Sequence, residues 1–307
     1  NKNIRVSLFS QGLAARSSVP LPRDAGCRRA ESPPRRPFWA SSPLAGRLSL
    51  SVFAVILGFV LANYLQNVFR YAGYDVIDMY HPMKLRLLVA TDNPLGFYFM
   101  QLFPFLAVIP ASFVLLENRE TRYEIYICSR IGKQRYHFSA TISAALTTFV
   151  VFFLPFLLEI ALNVLAFPLQ AFGDPSNLSC YDPLYLKIVS RYFWPSLYVK
   201  MPYLYAVLNV VVVSLTSAVI GLLPFAIGGF LKGKYKLVLF LPTYLLFYVL
   251  QIWGGSVPGE FSTSYFDYLM FYDGTLKNYA AFVVFLLSML IFSLTAVAVL
   301  SKRDICN

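Results

Sequence analysis

The chain has 307 residues, of which 58% are hydrophobic and only 13% are charged, and its formal net charge is +11. Soluble domains carry about twice that share of charged residues, so the composition indicates an integral membrane protein. The basic excess follows from loop positions described below. It therefore provides no support for nucleic-acid binding, and we expect no nucleic-acid partner.

Residues 1–47 differ in kind from the rest of the chain. They are basic and rich in proline and serine, as in the run from Glu31 to Pro37. Proline lacks a backbone N–H and such a composition buries little apolar surface, so this segment cannot form a regular element. We predict a cytoplasmic tail that is disordered or lies at the membrane surface.

Apolar segments dominate the remainder, residues 48–303, and each is close to or longer than the roughly 20 residues that a spanning helix needs. Continuous apolar runs such as the one beginning at Val210 exclude the alternating pattern of barrel strands. We therefore predict an all-α integral membrane protein with a six-helix transmembrane bundle. Its predicted spans are 48–69, 96–116, 138–169, 202–231, 237–253 and 279–300.

The distribution of Lys and Arg predicts the orientation, since cytoplasmic loops carry the excess. With both termini inside, nine of these residues fall in the tail, five in 117–137, three in 232–236 and two at 302–303. Only seven of the 26 then lie on the opposite side, in longer loops. We therefore predict that both termini are cytoplasmic.

Glu159 is the only charged residue inside a predicted span. A charged carboxylate at the centre of a span costs about 2.5–3.5 kcal/mol on insertion scales. Asn163 follows four residues later, so both side chains share one helix face. Three interpretations stay open: a polar spot in a translocation path or dimer seam, a protonated Glu bonded within the bundle, or a residue at the outer interface.

The segment 117–137 between the second and third spans is rich in charged residues, although only 13% of the chain as a whole is charged. Glu117, Glu120 and Glu124 recur at helical spacing and share one stripe, and Gly132 is expected to end the short helix. Basic residues in this loop are explained by membrane orientation, but acidic residues contribute little to orientation. The acids therefore favour a docking surface for a soluble partner.

Motifs for chemistry are absent from the sequence. No nucleotide-binding, zinc-protease or nucleophile-elbow pattern occurs, so we predict no enzymatic activity and no cofactor bound by this chain. The four cysteines lie far apart without a Cys-x-x-Cys pair, and the two histidines fall on opposite predicted sides of the membrane. We therefore expect neither a disulfide nor a metal site.

The charged end of the second span, a Tyr- and Ile-rich short helix and the run from Ser129 to Tyr136 are together similar to the ABC-2 type permeases. These proteins are the membrane subunits of ATP-binding-cassette exporters. The resemblance covers roughly residues 48–303. It implies six spans in the cell membrane (plasma or inner), with both termini inside, and a second permease copy or a paralogue as partner.

The resemblance also implies that the segment 117–137 docks on a separate ATPase subunit, which would bind ATP and Mg²⁺ and supply the energy for export. The positions that match the family's coupling segment are Glu117, Arg119, Glu120, Arg122, Tyr123, Glu124, Ile125, Tyr126, Arg130, Gly132 and Arg135.

Two other classes of function remain open from the sequence. One is a transporter or channel without an ATPase, in which Glu159 couples transport to protons or ions. The other is a membrane scaffold or assembly factor that recruits a different soluble protein through 117–137. Co-purification of an ATPase would separate an ATP-binding-cassette permease from these two classes.

Overall fold

The structure is a computed structural model. It describes residues 43–73, 81–85, 87–89, 93–120, 123–169, 194–228, 230, 241–254, 265, 269 and 279–302. The predicted tail is thus outside the described residues except for its last five positions.

The described residues form helices and contain no strand. Five of the helices have spans long and apolar enough to cross a membrane, within Gly46–Tyr71, Pro94–Ser112, Lys133–Ala166, Pro202–Gly228 and Phe282–Lys302. The predicted all-α membrane architecture is therefore confirmed for the described residues. In chain order the helices are α1 (Pro43–Tyr71), α2 (Pro82–Leu85), α3 (Pro94–Glu120), α4 (Tyr123–Ile131), α5 (Lys133–Ala166), α6 (Pro195–Lys200), α7 (Pro202–Gly228), α8 (Leu241–Gly254) and α9 (Tyr279–Lys302).

Helix boundaries differ from the predicted spans by a few residues. α1 begins at Pro43, five residues before the predicted start, because proline is well accommodated in a first helical turn, where no N–H is needed. α3 and α5 continue through Pro104, Pro110 and Pro155. The predicted fifth span is described only as α8, whose 14 residues extend about 21 Å, less than the roughly 30 Å of a hydrocarbon core. Residues 237–240 lie outside the described residues. A fifth span of full length, and with it a total of six crossings, therefore stays a prediction.

Contacts between helices define two ends of the bundle. At the first, called the Asn93 end, the last third of α1, the start of α3 and the last part of α5 meet. At the second, called the α4 end, buried residues from α3, α4, α5, α7 and α9 form one cluster. Consequently α1 and α5 run toward the Asn93 end, whereas α3, α7 and α9 run toward the α4 end.

The centre of the bundle is α7, which packs against α3 and α5. In the apolar 18-residue stretch of α7, 72% is buried inside the bundle, whereas in that of α9 only 22% is buried. A Cβ atom added at Gly221 would lie 2.9 Å from the carbonyl oxygen of Ala107 and 3.2 Å from Oγ1 of Thr148. Glycine is therefore required at this crossing, where small residues let helix backbones approach closely.

Aromatic side chains connect α1, α3 and α5 just inside the Asn93 end. The ring of Phe99 makes edge-to-face contacts with Phe59 at 5.9 Å and Phe156 at 5.6 Å between centroids, and Phe103 contacts Phe152 at 5.5 Å. Such pairs contribute about 0.5–1.5 kcal/mol each beyond the area they bury. The layer holds the ends of these helices in a defined arrangement next to the polar groups described below.

α8 is joined to the bundle by aromatic contacts rather than by a long apolar interface. Phe247 contacts Tyr265 at 5.7 Å and Phe285 of α9 at 6.5 Å. The Tyr265 hydroxyl donates a 3.1 Å hydrogen bond to the carbonyl of Met100 in α3. Burial, and to a lesser extent the neighbouring Tyr244, raises the pKa of the Tyr265 phenol above its ordinary value, so the hydroxyl stays a donor.

Candidate functional sites

The segment predicted to dock a partner is a short helix between two long ones. α3 ends at Glu120, α4 occupies Tyr123–Ile131, and α5 begins at Lys133. Gly132 separates α4 from α5 with φ 83° and ψ 148°, a conformation that is essentially restricted to glycine. The predicted break at Gly132 therefore agrees with the structure, and its cause is this non-helical backbone conformation.

α4 is attached to the bundle through Ile127, which is buried at the α4 end. The cluster around it, called the α4-end core, contains residues from four other helices. Its members include Ala111 of α3, Tyr136 and Ala140 of α5, Phe225 of α7 and Leu300 of α9. α4 itself contacts mainly α3 and α5, and the α4-end core extends from there to the ends of α7 and α9.

The predicted coupling residues are distributed over three structural positions. Arg130, Gly132 and Arg135 are exposed at the end of α4 and the start of α5. Arg122 lies outside the described residues. The remaining predicted residues belong to helices, and the structure describes their backbone but not their side chains. Glu117, Arg119 and Glu120 lie in the last turn of α3, and Tyr123, Glu124, Ile125 and Tyr126 lie in the first turns of α4.

The second predicted site, Glu159, lies at the opposite end of the bundle. It is 1% exposed, and its Oε1 accepts hydrogen bonds from Nδ2 of Asn63 at 2.7 Å and from the backbone N–H of Leu88 at 2.6 Å. Counted from Phe138, the predicted start of the span, Glu159 is about 31 Å along α5, close to the far boundary of a hydrocarbon core. The carboxyl is thus bonded inside the protein and away from the membrane centre.

Asn63 connects Glu159 to the beginning of α3. Its Oδ1 accepts hydrogen bonds from Nδ2 of Asn93 at 2.5 Å and from Nδ2 of Asn67 at 3.2 Å. Asn93 in turn accepts the backbone N–H of Leu95 at 3.0 Å, which caps the start of α3 ahead of Pro94. One chain of hydrogen bonds therefore joins α1, α3, α5 and the short segment that carries Leu88.

The described residues of that segment, 81–85 and 87–89, pack into the Asn93 end rather than extending away from it. Met83, Leu87 and Leu88 are buried, and so is Lys84 at 3% exposure. The Lys84 ammonium lies 5.1 Å from the ring centroid of Tyr198, a cation–π distance. The segment forms a lid over the end of the bundle, with the Leu88 N–H directed at Glu159.

Beside Glu159 is a small cavity of about 10 Å³, which is lined in part by Phe156 and Asn209. This volume is about that of one water molecule, and the cavity contains the polar groups that a water needs. The Asn209 Oδ1 and both amide atoms of Asn163 are buried and have no hydrogen-bond partner among the described residues. The pair predicted at Glu159 and Asn163 therefore shares a buried polar region, but only Glu159 is bonded within it.

Asn63, Asn93, Asn209 and the Leu88 N–H were not predicted from the sequence to belong to this site. Asn63 and Asn67 are spaced by four residues inside the first apolar span, which is a detectable signal, because amides in such spans usually find a partner. The Leu88 contribution is a backbone group and has no sequence signal. The described residues contain no group of three His, Cys, Asp or Glu side chains that could hold a metal ion.

Comparison with protein-family models, with curated proteins and with solved structures gave no match for this chain. The class of protein is consequently defined by the sequence and the fold. The chain is an all-α, multi-pass membrane protein.

Proposed function

We propose that this chain is the permease subunit of an ATP-binding-cassette exporter of the ABC-2 type, coupled through α4 to a separate ATPase. The observation that carries the proposal is the position of α4: a short helix between two long spans, anchored by Ile127 in the α4-end core. A partner that pushes on α4 would therefore act on the ends of α3 and α5, and through the shared core on the ends of α7 and α9.

The proposed topology has six spans in the plasma or inner membrane, with both termini and α4 in the cytoplasm. α7 and α9 both end at the α4 end, so the chain between them must return to the Asn93 end, and α8 lies in that interval. We assign the fifth crossing to α8 and the residues before it. Two permease copies, or this chain with a paralogue, would enclose the translocation path.

Charge provides the proposed recognition between α4 and the ATPase. Glu117 and Glu120 at the end of α3 and Glu124 in α4 would meet basic groups, and exposed Arg130 would meet an acidic group. Complementary charges of this kind mainly determine specificity and association rate. ATP and Mg²⁺ would be bound by the partner, and their hydrolysis would move α4 with each cycle.

The test is purification of the full chain from its native membrane in mild detergent, followed by identification of a retained subunit with a Walker A motif. Its hydrolysis of ATP is then measured with unmodified permease and with Glu117→Lys, Glu120→Lys and Glu124→Lys combined. We expect the triple variant to retain at least ten-fold less ATPase. Lys200→Glu, an exposed charge reversal on α6, is the matched control and should retain the full amount. Retention and turnover unchanged in the triple variant would refute the proposal.

A second candidate, an ion-coupled transporter without an ATPase, is favoured by one observation: the ionisable Glu159 adjoins a buried cavity. The purified chain reconstituted alone into liposomes would then move protons, as measured with an internal pH-sensitive dye, and Glu159→Gln would abolish the flux. Absence of flux in liposomes, together with ATPase retention, eliminates this candidate.

A further inference from the structure

A groove of about 430 Å³ lies between the start of α5 and the end of α9, at the α4 end of the bundle. Its volume is within the range of about 300–1,000 Å³ that is typical of small-molecule sites. The Glu159 cluster does not use it, and of the predicted coupling residues only Arg135 lines it.

The groove is basic at its mouth and apolar along its length. Arg135 and Lys302, both exposed, line the mouth, and none of the described residues that line the groove is acidic. Phe138, Leu294 and Val297 line the apolar part. Leu294 and Lys302 are eight residues apart on α9, so the change from apolar to basic extends over about 12 Å.

Two helix ends of opposite polarity meet at the mouth. α5 begins there, at Lys133, and Gly132 before it provides no side chain that could cap the N–H groups of the first turn. A helix N-terminus carries partial positive charge and favours an anion. α9 ends at the same mouth, at Lys302, and a helix C-terminus carries partial negative charge. The positive character of the opening therefore comes from the Arg135 and Lys302 side chains, which lie at one end of an apolar surface.

From this arrangement we propose that the groove binds one anionic phospholipid of the bilayer. Its phosphate would lie between Arg135 and Lys302, and an acyl chain would lie along Phe138 and Leu294. Basic pockets between transmembrane helices are a known way to hold anionic head groups. The proposal is independent of the ATPase, because it needs only the two helices and the membrane around them.

The test places a fluorescent reporter in the groove. The tryptophans Trp39, Trp194 and Trp253 are replaced by phenylalanine, and Phe138→Trp introduces a single tryptophan at a position that is 64% exposed. The full chain is reconstituted in phosphatidylcholine vesicles with 10 mol% phosphatidylglycerol. In one preparation the phosphatidylglycerol is brominated and in the other the phosphatidylcholine, so that the brominated lipid quenches the tryptophan fluorescence. Val299→Trp in the same background is the control, since Val299 is exposed on α9 but does not line the groove.

We expect brominated phosphatidylglycerol to quench position 138 several-fold more than its mole fraction predicts, and position 299 in proportion to its mole fraction. Equal enrichment at both positions would overturn the proposal. Little quenching of position 138 by either lipid would also overturn it, because protein would then cover the groove.

Charge variants separate a site from diffuse surface attraction. Arg135→Gln and Lys302→Gln should each lower the enrichment at position 138 about five-fold. Arg130→Gln removes an exposed charge at the same end, outside the groove, and should leave the enrichment unchanged. An equal loss in the Arg130 variant would show that surface charge alone attracts the lipid, which would refute the site. Size-exclusion profiles verify that each variant is folded.

Discussion

The carboxyl of Glu159 in α5 accepts a 2.7 Å hydrogen bond from the side-chain amide of Asn63 in α1, 96 residues earlier in the chain. The same oxygen accepts the backbone N–H of Leu88. Two helices and a lid segment are thus joined at one atom, and both donors are buried with it. This arrangement explains how a carboxyl is accommodated within an apolar helix.

Removal of the Glu159 acceptor should destabilise the Asn93 end. Glu159→Ala leaves two buried N–H donors without their acceptor, and each such loss costs about 1–3 kcal/mol. We expect a clearly lower unfolding temperature in detergent and faster hydrogen exchange at the Leu88 amide. Glu159→Gln keeps an acceptor oxygen of the same geometry and should remain close to the wild type. If the Ala variant matches the Gln variant in both measurements, the bonds do not stabilise the lid.

Gly221 should not tolerate a side chain. An added Cβ would lie 2.9 Å from the Ala107 carbonyl oxygen in the backbone of α3, which cannot move without separating the helices. We expect Gly221→Ala to destabilise the bundle by about 1–3 kcal/mol, as overpacking does.

The matched control is Gly58→Ala in α1, where no atom lies within 4 Å of the added Cβ. Alanine favours the helix by up to about 1 kcal/mol over glycine, so this variant should be neutral or slightly stabilised. The unfolding temperatures of both variants are measured in the same detergent, and we expect the lower value for Gly221→Ala. Equal unfolding temperatures would mean that α3 and α7 do not approach as closely as described.

Gly132 should be required for the turn between α4 and α5. Its φ of 83° with ψ of 148° costs an L-residue about 1–3 kcal/mol, so Gly132→Ala should loosen the junction. Hydrogen–deuterium exchange should rise in α4 and the first turn of α5. Gly46→Ala, in open space on α1, serves as control and should change neither. Undiminished protection of α4 in the Gly132 variant would contradict the strained turn.

Ile127 should hold α4 against the bundle, whereas its neighbour one turn later should not. Ile127→Ala removes a buried side chain and should cost about 2 kcal/mol or more, while Ile131 is 43% exposed and Ile131→Ala should cost much less. The difference is measured as loss of exchange protection in α4. In a complex with the proposed ATPase, only the Ile127 variant should uncouple hydrolysis from transport. Equal effects of the two substitutions would show that α4 is not anchored through Ile127.

Much of the architecture was predictable because membrane helices follow local rules. Apolar runs located the five long helices to within a few residues of their ends. The break before α5 was predictable from Gly132, because a glycine at that point permits a backbone conformation closed to other residues. Of the predicted fifth span, 241–253 is helical in α8, and 237–240 lies outside the described residues.

The sites divide differently between sequence and structure. Composition alone determined the membrane class, and the spacing of charges marked 117–137, because both depend on residue type and local periodicity. Tertiary structure decided that Asn63 and Leu88 bond to Glu159, that Ile127 of α4 belongs to a core shared with four other helices, and that Arg135 and Lys302 share a groove. The physical reason is that these contacts join residues tens to hundreds of positions apart. Their proximity depends on how the helices cross, and helix crossing is determined by packing between surfaces that no single segment contains.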